Sequence, residues 1–171
     1  MVRYADPGEL EWVESGGGPL IAVPETVLPF WAGADSEELA TDYDRACEVD
    51  GYAALLPVGD SAALVLGDEP ASTSYLADHG TFVRWSAANS EEELLAAARA
   101  ALATAAWESE LRWHVPGPVV LFDSAWPGNG VDDTGHLRVP LEAGTYGVRA
   151  AYAQPEPETW IGLVQLRLLT P

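Results

Sequence analysis

The stretch from Asp35 to Asp50 holds seven carboxylates (Asp35, Glu37, Glu38, Asp42, Asp44, Glu48, Asp50) against Arg45 alone. Carboxylates at this density can bind a cation, work as acid and base, or present a field to a basic partner. Asp42-Tyr43-Asp44-Arg45-Ala46-Cys47 starts like a calcium loop. It then places Ala46 where a fifth-position ligand belongs and Cys47 where the turn needs glycine. Cys47 is the only cysteine, so neither an intrachain disulfide nor a thiolate zinc cluster is available. No activating neighbour marks it as a nucleophile, and a lone cysteine is more often a small buried apolar group. His79, His114 and His136 lack the i,i+4 partner of a zinc helix. No nucleophile elbow and no phosphate-binding loop is present, and Gly128-x-Gly130 is followed by Asp133 where a dinucleotide fingerprint has glycine. The expectation is a protein that is not an enzyme, with no catalytic residues, no metal and no cofactor.

That leaves binding. A charge this concentrated repels itself and costs stability, and proteins with basic partners keep such a field because it speeds encounter. The candidate partner-binding residues are Trp31, Asp35, Glu37, Glu38, Asp42, Tyr43, Asp44, Glu48 and Asp50, with Asp68 and Glu69 further along. Seven tryptophans are many for this size. Strand alternation assigns Trp12, Trp113 and Trp160 to the core. Trp31, beside Pro29-Phe30, and Trp126, at the entrance of a glycine-rich loop, are the better surface candidates.

The elements that position these residues follow from pattern. The chain has 171 residues, 48% hydrophobic, enough for a core without staples. Most segments are short strands bounded by Gly, Pro and Asp. Tyr52–Val58 and Ala62–Leu66 flank Gly59-Asp60-Ser61 as a hairpin. Leu111, Trp113 and Val115 alternate with Arg112 and His114. Further strands are expected over 10–15, 20–23, 82–87, 119–123, 136–140, 145–153 and 159–169. Ser90-Glu91-Glu92-Glu93 is a capping box opening a helix with Leu94, Leu95, Ala98 and Leu102 on one stripe. That helix is expected to run to about Trp107. A shorter helix is expected after Ala34 or Asp35, where Ser36-Glu37-Glu38-Leu39 precedes Tyr43. The predicted fold class is α+β, a mainly antiparallel β-sheet with one main α-helix (about 90–107) packed on it, as a single domain over 1–171.

The net charge is −19, and no lysine is present. Residues 1–110 carry 21 of the 27 acids and four of the eight arginines, so the acidity is uneven. A folded surface this acidic argues against nucleic acid and against an anionic membrane. The apolar runs are too short to span a bilayer, and Met1–Pro7 shows no secretory h-region, so a cytoplasmic protein is expected.

Gly17-Gly18-Pro19-Leu20, then Trp31-Ala32-Gly33, then Tyr43-Asp44-Arg45-Ala46-Cys47 before Asp50-Gly51 resemble immunity protein 21 of bacterial polymorphic toxin systems. That family carries Trp-x-Gly and Tyr-x-x-x-Cys motifs, and both stand here without departure: Trp31 with Gly33, and Tyr43 with Cys47. The similarity continues through Leu64–Ala71, Phe82–Trp85 and Glu158–Gln165, and so covers nearly the whole chain. The resemblance implies a protein that binds and blocks a cognate toxin domain encoded by a neighbouring gene. It carries over no catalytic residue. Gly33 then supplies a turn and Cys47 fills core, while Trp31 and Tyr43 stand open between core and interface. The expected mechanism is an acidic surface occluding a basic toxin face, one that otherwise grips nucleic acid. The alternative is a β-rich module binding a small ligand or carbohydrate through exposed tryptophans, which demands a concave site lined by indoles.

Overall fold

The computed structural model describes residues 10–35, 37, 39–67 and 70–170. Ten strands form two five-stranded sheets, antiparallel in every pairing. The first contains β1 (Leu20–Pro24), β2 (Ala53–Val58), β3 (Ser61–Leu66), β7 (Val119–Asp123) and β8 (His136–Val139), in the order β2-β3-β1-β7-β8. The second contains β4 (Ser72–Leu76), β5 (Thr81–Ala87), β6 (Leu111–Val115), β9 (Gly144–Glu156) and β10 (Thr159–Thr170), in the order β4-β5-β10-β9-β6. Among the described residues are also two α-helices, α1 (Asp42–Cys47) and α2 (Glu91–Ala101), and short 3-10 turns. The α+β class read from the sequence holds.

The sheets lie face to face, and alternation along their strands makes three apolar layers. Leu20, Ala22, Leu64, Leu66 and Leu121 of the first sheet meet Phe82, Trp113, Val148 and Val164 of the second. The intervening residues Ile21, Val23, Val65, Val120 and Phe122 point the other way, onto Val27, Trp31 and Ala46. On the far side of the second sheet, Val83, Ile161 and Leu163 pack on Leu94, Ala98 and Ala101 of α2. Strand β1 is covered on both faces, so Leu-Ile-Ala-Val is a continuous apolar run rather than an alternating one. An arginine enters this interior. Arg84 is buried, donates to the Gly67 carbonyl (2.7 Å), and lies over Gly162, where a Cβ would come within 3.1 Å of its side chain.

Helix α2 starts where the sequence places it, with the Ser90 Oγ accepting from the Glu93 amide (3.1 Å). It stops at Ala101, short of Trp107. The cause is tertiary. The Glu108 amide donates to the Ala150 carbonyl (2.8 Å), and the Arg149 guanidinium sits 4.1 Å from the Trp107 ring centroid. The chain is thereby drawn along β9 in spite of its helix propensity. Leu10–Ser15 forms no full strand; Val13 makes an isolated bridge with Thr73. The Gln154–Glu158 connection is tighter than read, because β9 runs on to Glu156.

Trp113 is buried as alternation requires, and Trp12 is half-buried. Trp160 departs from its reading: it is 40% exposed. At about 3.4 Å per residue, a 12-residue β10 overhangs the 4- to 6-residue strands opposite, which cover only its middle. Trp160 and Leu168 stand at the two uncovered ends. A register shift between Trp160 and Ile161 accompanies the first.

Candidate partner-binding site

The outer layer of the first sheet is built around a knot at Ala32-Gly33. A 3-10 turn over Glu25–Phe30 leads from β1 and drops Trp31 into the layer beneath. The Trp31 ring is 1% exposed, and its Nε1 donates to the Ser124 carbonyl (3.1 Å). Gly33 follows at φ +61, with a virtual Cβ only 2.6 Å from the Ala125 and Trp126 backbone. Glycine is required there twice over, for its dihedral and for the close approach. The approach is sealed by Ala34 N donating to Ala125 O (3.0 Å) and Gly128 N to Trp31 O (2.8 Å).

Helix α1 docks on the same knot. Its first turn is fixed by a reciprocal box. Thr41 Oγ1 accepts from the Asp44 amide (3.1 Å), while Asp44 Oδ2 accepts from the Thr41 amide (2.9 Å). These bonds from Thr41 hold the Asp44 carboxyl below its ordinary pKa. The Tyr43 amide donates to the Gly33 carbonyl (3.1 Å), and the Ala32 amide to Asp42 Oδ2 (2.9 Å). Asp42 Oδ1 also pairs with Arg45 Nη1 (2.9 Å), whose Nη2 reaches the Pro57 carbonyl (2.9 Å). The two short motifs of the sequence are thus one structural unit, joined by the bond from Tyr43 to Gly33.

Tyr43 and Cys47 lie one turn apart on α1. The Tyr43 ring covers Gly18, where a Cβ would fall 2.4 Å from its hydroxyl oxygen. A hydrogen bond with the Cys47 thiol, then burial, then the nearby charges including Asp123, push the Tyr43 phenol up. The loop under Tyr43 is held by Asp123, whose Oδ2 accepts from the Gly16 amide (2.8 Å) and Oδ1 from the Ala125 amide (3.0 Å). An open groove of ≈ 230 Å³ runs between Gly18, Tyr43, Cys47 and Val49.

The sequence-predicted residues therefore divide. Trp31 is core rather than surface, because its indole packs on the outer face of β1 and β7 with Ile21, Val23, Val120 and Phe122 and finds its acceptor inside. Cys47 is exposed rather than buried, since the buried side of this short helix is taken by Ala46. Tyr43 is half-buried. Asp42 and Asp44 are engaged in holding α1. Asp35, Glu37, Glu48 and Asp50 are exposed. Glu38, Asp68 and Glu69 lie outside the described residues. The second expected helix begins at Asp42, seven residues beyond Asp35, and Thr41-x-x-Asp44 was the signal for its start. Trp126, 41% exposed, is the surface indole the sequence proposed, and Phe30, 65% exposed, was missed. The histidines stand apart, His79 on a 3-10 turn over Ala77–His79, His114 on β6 and His136 on β8. Among the described residues, no group of three or more His, Cys, Asp or Glu is placed to hold a metal ion. Among them too, no helix is long and apolar enough to cross a membrane.

The fold and the site together define a two-sheet antiparallel α+β protein whose outer layer carries a short helix and exposed carboxylates around it. The sequence profile of the family described as Immunity protein 21 matches residues 11–159, and the chain belongs to that family. Membership supports the role of an immunity protein. No curated protein matches the chain. No solved structure matches it.

Proposed function

We propose that this protein is a cytoplasmic immunity protein that binds a cognate toxin domain encoded by a neighbouring gene and blocks it by covering a basic active face. The observation that carries the reading is the family match over residues 11–159. The acidic outer layer supports the mechanism. Asp35, Glu37, Glu48 and Asp50 are exposed around α1, on the side of the molecule that holds both family motifs. A toxin that acts on nucleic acid needs a cationic surface, and this field would compete for it. Occlusion requires no chemistry of the inhibitor, so no catalytic step is assigned to it. The alternative, a small-ligand or carbohydrate module, asks for exposed indoles that line one concave site. Trp126 follows β7 and Trp160 lies on β10 in the other sheet, and Trp160 packs against Tyr152 (5.9 Å between centroids).

The test is titration with the toxin domain from the adjacent reading frame. Tight 1:1 binding, loss of toxin activity and association that slows with salt are expected. Converting Asp35, Glu37, Glu48 and Asp50 to Asn or Gln should slow association by about tenfold or more. Asp42 and Asp44 are left intact because they hold α1 in place. Association indifferent to salt would sink the electrostatic mechanism.

A further inference from the structure

An antiparallel ladder joins two strands through alternate residues, and the residues between them turn their N–H and C=O away from the partner strand. In the β2–β3 hairpin the joining residues are fixed by the register, from Val58↔Ser61 to Ala53↔Leu66, and by the Gly67 amide, which donates to the Tyr52 carbonyl (3.1 Å). Tyr52, Ala54, Leu56 and Val58 therefore bond toward β3. Ala53, Leu55 and Pro57 turn their backbone outward, at the edge of the first sheet. Arg45 agrees with this phase: its Nη2 donates to the Pro57 carbonyl from outside the sheet (2.9 Å). Pro57 has no N–H, so that end of the edge is closed. Ala53 and Leu55 still offer two N–H and two C=O groups, and among the described residues nothing bonds to them there.

The other sheet edges are guarded. Val13 closes the middle of β4 with two bonds to Thr73 (2.9 and 3.0 Å). Strand β6 carries Arg112 and His114, and β8 carries His136 and Arg138. Charge of this kind keeps an edge from taking up a foreign strand. From Tyr52 to Val58 the chain reads Tyr-Ala-Ala-Leu-Leu-Pro-Val, without a charge. An apolar edge with its ladder groups unfilled fits one kind of ligand, an extended backbone. Charge then selects the source of that backbone. Glu48 and Asp50 stand exposed before β2, and Asp60 in the turn after it. A second copy paired antiparallel about Ala54 would bring Glu48 and Asp50 of one chain toward Asp60 of the other, like against like. An extended segment with arginine or lysine at both ends meets opposite charge at each.

We propose that the open edge of β2 docks an extended, basic-flanked segment of the toxin, which pairs with Ala53 and Leu55 as a sixth strand of the first sheet. This rests on the proposed function. The edge lies beside α1, since Arg45 bridges the two, so the added strand continues the acidic outer layer. The acids then govern the rate of encounter, and the strand bonds govern how long the complex lasts.

The experiment uses the full chain and the toxin domain from the adjacent reading frame. Amide hydrogen exchange is followed by NMR with and without the toxin, and binding is measured for Ala53→Pro and Ala53→Ser. Proline removes the outward N–H, and Pro57 shows that the same phase of β2 accepts the ring. Serine keeps the N–H and changes the side chain. Thermal unfolding verifies that each variant is folded. The exchange measurement needs no variant, so it decides the matter even if Ala53→Pro fails to fold. The Ala53 and Leu55 amides are expected to exchange freely in the protein alone and to slow by about tenfold or more in the complex. Ala53→Pro is expected to weaken binding by about tenfold or more, and Ala53→Ser by less than about twofold. Exchange at Ala53 and Leu55 that the toxin leaves unchanged would overturn the edge pairing and leave the immunity reading intact. Ala53→Ser weakening binding as much as Ala53→Pro would do the same, since the side chain would then be the contact. Failure of the unchanged protein to bind would overturn both. Slow exchange of these amides in the protein alone, lost on dilution, would assign the edge to a second copy and overturn the proposal.

Discussion

At the scale of single residues, the knot depends on the absence of a side chain. A methyl group on Gly33 meets backbone, which cannot swing aside, and the +61° φ adds its own strain. Gly33→Ala is expected to destabilise the protein by about 2–4 kcal/mol in urea unfolding. Gly17→Ala makes a useful contrast: its φ is also positive, at +133, but nothing lies within 4 Å of the new methyl group. About 1 kcal/mol is expected there. Tyr75 gives a different kind of residue prediction. Burial against the inter-sheet core, where its ring lies 5.0 Å from Phe82, pushes its phenol up to about 12 from 10.0. The unfolded chain releases that proton first. The stability linked to it is therefore intact below pH 10 and is lost as pH rises from 10 to about 12. Tyr75→Phe should flatten that part of the alkaline unfolding profile.

At the scale of elements, α1 has only six residues, too few to be stable by itself. It persists because its ends are tied: Thr41 and Asp44 close the first turn, Asp42 and Tyr43 bond to Ala32-Gly33, and Arg45 reaches Pro57. Thr41→Ala removes the acceptor for the Asp44 amide and is expected to cost about 1 kcal/mol by denaturant unfolding. It should also slow toxin association if α1 carries the acidic face. Helix α2 was legible at its start, where Ser90 and three glutamates announce it, and illegible at its end. What ends it is the Glu108–Ala150 bond to β9, a contact no local pattern encodes. Trp160 was misread for a related reason. Alternation gives the side of a strand a residue occupies but not whether the facing sheet extends that far.

At the scale of the molecule, a charge of −19 on a chain of 171 residues is a standing repulsion. Raising sodium chloride from low to physiological concentration should raise Tm, because screening relieves the folded surface more than the expanded chain. A Tm that falls over that range would contradict this account. The three apolar layers explain how the fold tolerates the charge. Apolar side chains from both sheets, α2 and the outer turns fill the interior, and the carboxylates around α1 remain in water where they can meet a partner.

Composition and local pattern by themselves determined the α+β class, the strand-rich order, the start of α2, the location of the acidic excess and the pair of family motifs. These follow from near-neighbour chemistry: alternation, capping, turn residues and charge counts. Only the tertiary structure decided what the motifs do. It buried Trp31, exposed Cys47 and Trp160, and committed Asp42 and Asp44 to holding α1. The burial of Trp31 depends on backbone contacts between segments tens of residues apart, above all Gly33 against Ala125 and Trp126, and sequence spacing carries no record of such distances.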